Sequence, residues 1–282
     1  MQVEEIFFAH EGRRQRLLAA GSGRGGLVLW PGLGATAETF GRMLAGAAAR
    51  GLRIAALDPP GHGRSEPLAL RDGCDVARLL SGALEAAGLH RPALGGHSYG
   101  AVAVLAALAA DPGLARRTPG VLLLDGGYLE HAETREERGE QLRRQLAEFT
   151  FAGWPEFLAA ARRDAALWDD FAEAAARAQM VEAGGRVRLR VDPEACLEAM
   201  DLIARSGPQA LGRVEVPRAL LLRAGRPAEL EAERAAGVAA LKAKLPALEV
   251  RVVSDAAHEL LDEAPKVVEA ATWDFLARAL AC

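Results

Sequence analysis

The spacing of apolar residues along this chain changes twice. Residues 3–21 alternate in short runs, VEEIFFA and RRQRLLAAG, separated by His10-Glu11-Gly12. Alternation broken by a glycine turn predicts an antiparallel hairpin with one buried face. From residue 26 the runs become continuously apolar, and each ends in a glycine turn before an amphipathic stretch. GLVLWPG precedes a helix near Ala37–Arg50, RIAALD one near Cys74–Ala87, and RPALGGHS one near Tyr99–Ala110; VLLLDGG follows. Strands apolar on both faces, alternating with helices, predict an α/β fold: a mostly parallel central sheet covered by helices on both sides.

Between about Tyr128 and Val214 this rhythm lapses. HAETREERGEQLRRQLAEF, WPEFLAAARRDAALWDDFAEAAARAQM and DPEACLEAMDLIARSG all have helical periodicity, with no apolar strand between them. The α/β rhythm returns with PRALLLRAG, a helix near Glu229–Leu245, the strand LEVRVVS and a last helix over Pro265–Leu280. The expected organisation is a core of residues 1–127 and 214–282 with a helical cap, or lid, of residues 128–213. A length of 282 residues suits one such domain with its insertion.

Candidate chemistry sits where strands meet helices. In LGGHSYGAV (94–102), Gly96, Ser98 and Gly100 form G-x-S-x-G, entered by an apolar strand and left by a helix. Glycines at the flanking positions let the sharp turn of a nucleophile elbow close, where a plain packing turn would not need the serine. Ser98 is then the nucleophile, and the Tyr99 N–H points where an oxyanion would form. In LVLWPGLGATAETF (27–40), glycines on either side of Leu33 make its N–H the second oxyanion donor. A dinucleotide cradle would need a third glycine where Ala37 stands. His258, in VVSDAAHELLDE, follows the last predicted strand and so reaches the carboxyl edge of the sheet beside Ser98, as a general base would. His10, His62, His90 and His131 read as surface or filler residues, and His97 as packing inside the elbow.

Composition narrows the setting. A net charge of −4 leaves no basic footprint for nucleic acid. The longest apolar run, AVAVLAALAA, is too short for a bilayer, and the acidic N-terminus lacks a signal-peptide core. Cys74, Cys196 and Cys282 are widely spaced and odd in number, as free thiols of a reducing compartment are. A cytoplasmic protein acting on a small molecule is expected, without cofactor or metal; its oligomeric state stays open.

LDPPGHGRSEP (57–67), taken with WPGLGA, GGHSYGA and AAHELLDE, resembles the α/β-hydrolase superfamily in order and spacing, over roughly residues 26–127 and 214–280. The resemblance implies a serine–histidine–acid hydrolase with a mobile helical lid, near small esterases, lactonases and carbon–carbon hydrolases. The chain departs from that pattern twice. Pro31 stands where relatives carry a histidine before the oxyanion glycine, and Ala228 stands in the turn after LLLRA that usually holds the acid. A triad needs a carboxylate to orient its histidine. Asp125 ends the previous strand, followed by Gly126 and Gly127, which would leave space for an imidazole; it takes the assignment. Glu229 is the alternative, and its place at a helix start also suits the helix dipole.

The expected function is a cofactor-free serine hydrolase that cleaves a small to medium apolar ester or lactone through an acyl-enzyme. Phe149, Phe151, Trp154, Phe157, Trp168 and Phe171 could line the acyl pocket or pack the lid. A carbon–carbon bond hydrolase or an aminopeptidase of the same fold is the alternative, the latter using cap acids such as Glu130, Glu133, Asp169 and Asp170. A hydrolase-like protein that binds without turnover is the third reading.

Overall fold

The computed structural model describes residues 3–23 and 25–281, so the expected free thiol Cys282 lies outside the described residues. The hairpin forms as its alternation requires: β1 (Glu4–His10) pairs antiparallel with β2 (Arg13–Gly21), from Glu4 opposite Ala19 to His10 opposite Arg13. Next come β3 (Gly26–Trp30), α1 (Gly41–Ala47), β4 (Arg53–Leu57), α2 (Gly73–Ala86), β5 (Ala93–His97), α3 (Tyr99–Ala110), α4 (Pro112–Arg117) and β6 (Val121–Leu124). An insertion follows, made of α5 (Arg135–Glu148), β7 (Thr150–Phe151), α6 (Trp154–Asp164), α7 (Asp170–Ala178), β8 (Met180–Ala183), β9 (Arg186–Leu189) and α8 (Pro193–Arg205). The chain then returns to the core with β10 (Ala219–Ala224), α9 (Glu231–Lys244), β11 (Leu248–Val253), α10 (Leu260–Glu263) and α11 (Pro265–Ala279).

Eight strands form one sheet in the order β1-β2-β4-β3-β5-β6-β10-β11, parallel from β4 onward. The strands β3, β5, β6 and β10 are buried at every position. Side chains alternate between faces, so Val121 and Leu123 join the layer under α2 and α3, while Leu122 and Leu124 join the layer under α1 and α11. The helix α3 is buried from Tyr99 to Leu108. Its alanines let it lie close against the middle of the sheet, and Ser98 is thereby held at the sheet's carboxyl edge.

The insertion is not helical throughout, which corrects the sequence-based expectation. β7, β9 and β8 form a three-stranded antiparallel sheet, with Gly184 and Gly185 turning between β8 and β9 at φ 60° and 73°. A Gly-Gly turn between short strands is a hairpin signal. It is faint in the sequence because each strand is only four residues long and packs against the insertion alone. Met180 and Val187 pack with Phe157, while Arg186 and Arg188 face solvent.

The turn after β4 ties the insertion to the core. Gly63 N–H donates to the Arg190 carbonyl at 3.0 Å, and Asp192 N–H to that of Gly61 at 2.7 Å. His62 is buried between them. Its Nδ1–H donates to the Pro60 carbonyl at 2.9 Å, and Nε2 lies 3.6 Å from Cys196 Sγ of α8. Burial pushes the Cys196 thiol up to about 12, so it stays protonated and can donate to Nε2. Burial likewise pushes His62 down from 6.5 to about 4. Between those values the unfolded chain binds a proton that the folded chain refuses. Folding stability is therefore full above pH 6.5 and falls as pH drops toward 4, by about 3 kcal/mol at most. Urea unfolding across this window is expected to show that decline in the parent and a flatter profile in His62→Gln. Equal slopes in the two proteins would mean that other groups carry the pH dependence.

Candidate active site

Ser98 occupies the turn between β5 and α3 at φ 52° and ψ −117°, a conformation rare for a residue with a side chain. Strain of this kind costs on the order of 1–3 kcal/mol and persists only where packing dictates it. Here a Cβ on Gly96 would overlap the Gly100 carbonyl, and one on Gly100 would overlap that of Trp30. No larger residue fits either place, and the chain must turn sharply between them. Asp125, the first residue beyond β6, also has positive φ, at 42°. Gly126 follows because a Cβ there would strike the Ser98 backbone. The glycines after Asp125 thus clear the elbow and α3, not the imidazole as expected from sequence.

These two strained residues meet at His258, in the turn after β11. His258 Nε2 lies 2.8 Å from Ser98 Oγ, and Nδ1 lies 2.7 Å from Asp125 Oδ2. The other carboxylate oxygen, Oδ1, accepts from Tyr128 Oη–H at 2.6 Å and from the Ala224 N–H at 2.8 Å. His97 is buried behind His258, its Nε2 donating to the His258 carbonyl at 3.0 Å. Glu229 is exposed in a single 3-10 turn, Ala228–Leu230, and its side chain has no hydrogen-bond or ionic partner among the described residues. Of the two candidate acids, the structure brings Asp125 to the histidine and leaves Glu229 aside.

Electrostatics follow from these contacts. The hydrogen bond to Asp125 raises His258 above the usual imidazole range, against the opposing effect of burial. Burial alone would push Asp125 up, but hydrogen bonds from His258, Tyr128 and Ala224 hold it below the usual carboxylate range. Burial lowers His97, which stays neutral beside His258. A hydroxyl, an imidazole and an ionised carboxylate in line can pass a proton from Oγ to Nε2 while the carboxylate steadies the resulting imidazolium.

Ser98 and His258 open onto a cavity of about 650 Å³. Gly32, Leu33 and Gly34 form its edge beside Ser98; a Cβ on Gly32 would sit 3.5 Å from Ser98 Cβ. Neither the Leu33 N–H nor the Tyr99 N–H donates to another group among the described residues. The far wall comes from the insertion and is mainly apolar, including Leu142, Leu146, Phe149, Trp168 and Val191. Of the six aromatic candidates only Phe149 and Trp168 reach the cavity. Phe151, Trp154 and Phe157 pack among themselves, and Phe171 lies against Gly41 under the Arg42 guanidinium.

Charge in the cavity is one-sided. Asp164, Glu259 and Asp262 line it, and no lysine or arginine does among the described residues. None of the four acids suggested by sequence is among them: Asp169 caps α7 and pairs with Arg42, and Glu130 accepts from the Gln209 N–H. Tyr128 also went unread in the sequence, where nothing distinguishes it from a core aromatic. A second hollow of about 340 Å³, near Arg71 and Arg205, touches none of these groups. Among the described residues one group could gather three metal-ligand atoms: His97, His258 and Glu259, within 4.8 Å of one another. Both His258 nitrogens and His97 Nε2 are already engaged, so the set is not free to ligate.

Comparison with known proteins agrees with this architecture. A model of the Alpha/beta hydrolase family matches residues 27–271. No curated protein matches the sequence. Among solved structures, E-2-(acetamidomethylene)succinate hydrolase superposes with a TM-score of 0.76 at 20% identity, covering 98% of this chain and 100% of its own. The thioesterase domain from the curacin biosynthetic pathway gives 0.69 at 18% identity, covering 97% and 100%. A structure from work on carboxylesterases of the thaumarchaeon Nitrososphaera gargenis gives 0.69 at 16% identity, covering 97% and 98%. At these identities the likeness is one of fold, but the family match runs from β3 through the elbow, the insertion and His258 into α11, and the chain belongs to the alpha/beta hydrolase family.

Proposed function

We propose that the protein is a cofactor-free serine hydrolase cleaving small to medium, uncharged carboxylic esters or lactones through an acyl-enzyme. The observation that carries this reading is the line Ser98 Oγ, His258 Nε2, His258 Nδ1, Asp125 Oδ2, with steps of 2.8 and 2.7 Å, at the floor of an apolar cavity. Ser98 Oγ attacks the substrate carbonyl as His258 takes its proton. The N–H groups of Leu33 and Tyr99, both free for a ligand, receive the oxyanion. His258 returns the proton to the leaving alcohol, and water repeats the sequence on the acyl-enzyme. Asp125 holds the imidazole in the tautomer that presents an acceptor to Ser98.

Residues 128–213 act as the lid in this reading, because they supply the far wall of the cavity. The charge of the lining argues for uncharged acyl groups: a carboxylate on the substrate would meet Asp164, Glu259 and Asp262 with no cation to pair with. A dicarboxylate such as the one named for the succinate hydrolase is therefore a poor fit. The same three acids favour one rival, an aminopeptidase-like enzyme taking a protonated amine. Cys74 and Cys196 are unpaired thiols, in keeping with a cytoplasmic setting, and no described helix is long and apolar enough to cross a membrane.

A panel of p-nitrophenyl esters of rising chain length, with a hemisuccinate ester and an amino-acid p-nitroanilide as controls, tests the reading. Neutral esters are expected to be the best substrates. Preference for the anilide would favour the amine-directed rival, and no turnover at all would favour a binding protein. Ser98→Ala should lose about 10⁶ in kcat with its circular dichroism unchanged, the usual cost of removing a triad nucleophile. Activity within tenfold of the parent would overturn the assignment.

The acid is tested by two amide exchanges. Asp125→Asn should lower kcat by up to about 10⁴, because the wrong imidazole tautomer is then held, while Glu229→Gln should cost under about tenfold, as a surface change does. The reverse order would return the acid to the turn after β10.

The lid makes a distinction among its own aromatics. Phe149→Ala and Trp168→Ala are expected to move the preferred chain length upward, since both side chains occupy the cavity wall. Trp154→Ala, in the separate cluster with Phe157, should destabilise the lid without moving the optimum. A flat ester profile in the first two would remove the insertion as the specificity element.

A further inference from the structure

We infer that Tyr128 is a positioning residue for the acid, linking the root of the insertion to the proton relay. The inference rests on the role of Asp125 proposed above. Tyr128 lies three residues past Asp125, where the chain leaves the sheet for the insertion, and is 1% exposed. Its hydroxyl donates to Asp125 Oδ1 at 2.6 Å, and the Ala224 N–H donates to the same oxygen. Two donors on Oδ1 leave Oδ2 as the oxygen that faces His258 Nδ1. The carboxylate cannot rotate without breaking a bond to each neighbour.

The tyrosine is itself fixed. Its backbone carbonyl lies so close to α9 that a Cβ on Gly237 would overlap it. Burial, then the adjoining carboxylate, raise its hydroxyl well above the usual phenol range, so it remains a donor throughout the working pH range. A hydrogen bond to an ionised group is among the stronger kinds and draws charge from the acceptor. Part of the carboxylate's charge is therefore held by the phenol, and less is left to stabilise His258 as a cation. The other groups facing this pair are His97 behind the imidazole, Glu259 in the same turn, Arg223 on β10 and Arg234 on α9. None of them bonds the carboxylate.

Tyr128→Phe removes one oxygen and keeps the ring in the core. It is expected to lower kcat about tenfold with KM within about twofold, the scale of one charged hydrogen bond. The acid limb of kcat/KM should move upward by roughly half a unit, since an unshared carboxylate favours the imidazolium. In an Asp125→Asn background the same change should cost less than about twofold, because the charge it acts through is gone. A parent-like kcat and acid limb in Tyr128→Phe, or an equal loss in both backgrounds, would reduce Tyr128 to a packing residue. Should Ser98→Ala remain active, the proposed reaction itself fails; an inactive Ser98→Ala with an indifferent Tyr128→Phe overturns only this inference.

Discussion

The site depends on how closely α3 approaches the sheet. Gly100 lies against the Trp30 carbonyl, and Gly96 against that of Gly100, with no room for a Cβ at either place. A helix this near its strand leaves one residue to reverse direction, and that residue takes φ 52°. The same approach excludes a side chain from Gly126, because Ser98's backbone fills its space. The turns at Ser98 and Asp125 are thus one packing problem solved by three glycines. Two strained residues, Ser98 and Asp125, directly follow the adjacent strands β5 and β6 and emerge at the same edge.

This explains how Asp125 is held toward His258 from the end of β6. The Asp125 N–H donates to the Leu222 carbonyl, and its side chain accepts from the Ala224 N–H, so backbone and carboxylate are both anchored to β10. A carboxylate held by the neighbouring strand needs no loop to position it. The turn after β10 is held by other means. Arg234 is buried and donates from Nη1 to the Pro227 carbonyl and from Nη2 to the Arg226 carbonyl. The guanidinium there stabilises the turn as structure.

What could be read from the sequence follows physical range. The strands β3, β5, β6 and β10 declare themselves because burial on both faces leaves almost wholly apolar runs, with His97 and Arg223 the polar exceptions near their carboxyl ends. The elbow was legible because steric exclusion acts on residues two apart, 96, 98 and 100. The β8–β9 hairpin was not, since each strand is only four residues long, Arg186 and Arg188 face solvent, and its burial is against the insertion alone. Tyr128 was hidden for another reason. Its partner is only three residues away, but whether a tyrosine ring folds back on a carboxylate depends on backbone angles set by the elbow. The cavity acids were hidden similarly: Glu259 and Asp262 share a face only because α10 begins at Leu260.

The cavity's charge and the relay's charge bear on one another. Burial, with Glu259 next to it, raises Asp262 above the usual carboxylate range, and Glu259 favours the protonated form of His258. Glu259 and Asp125 together raise His258 above the usual imidazole range. Opposing them are the burial of His258, the sharing of Asp125's charge with Tyr128 and Ala224, and the Arg234 guanidinium. The one-sided lining and the Ser98–His258–Asp125 line thus share their charges: Glu259 acts on His258 from the cavity side, and Tyr128 and the Ala224 N–H act on Asp125 from behind. The charge of the cavity and the charge of the relay are both set by where a few carboxylates find their donors.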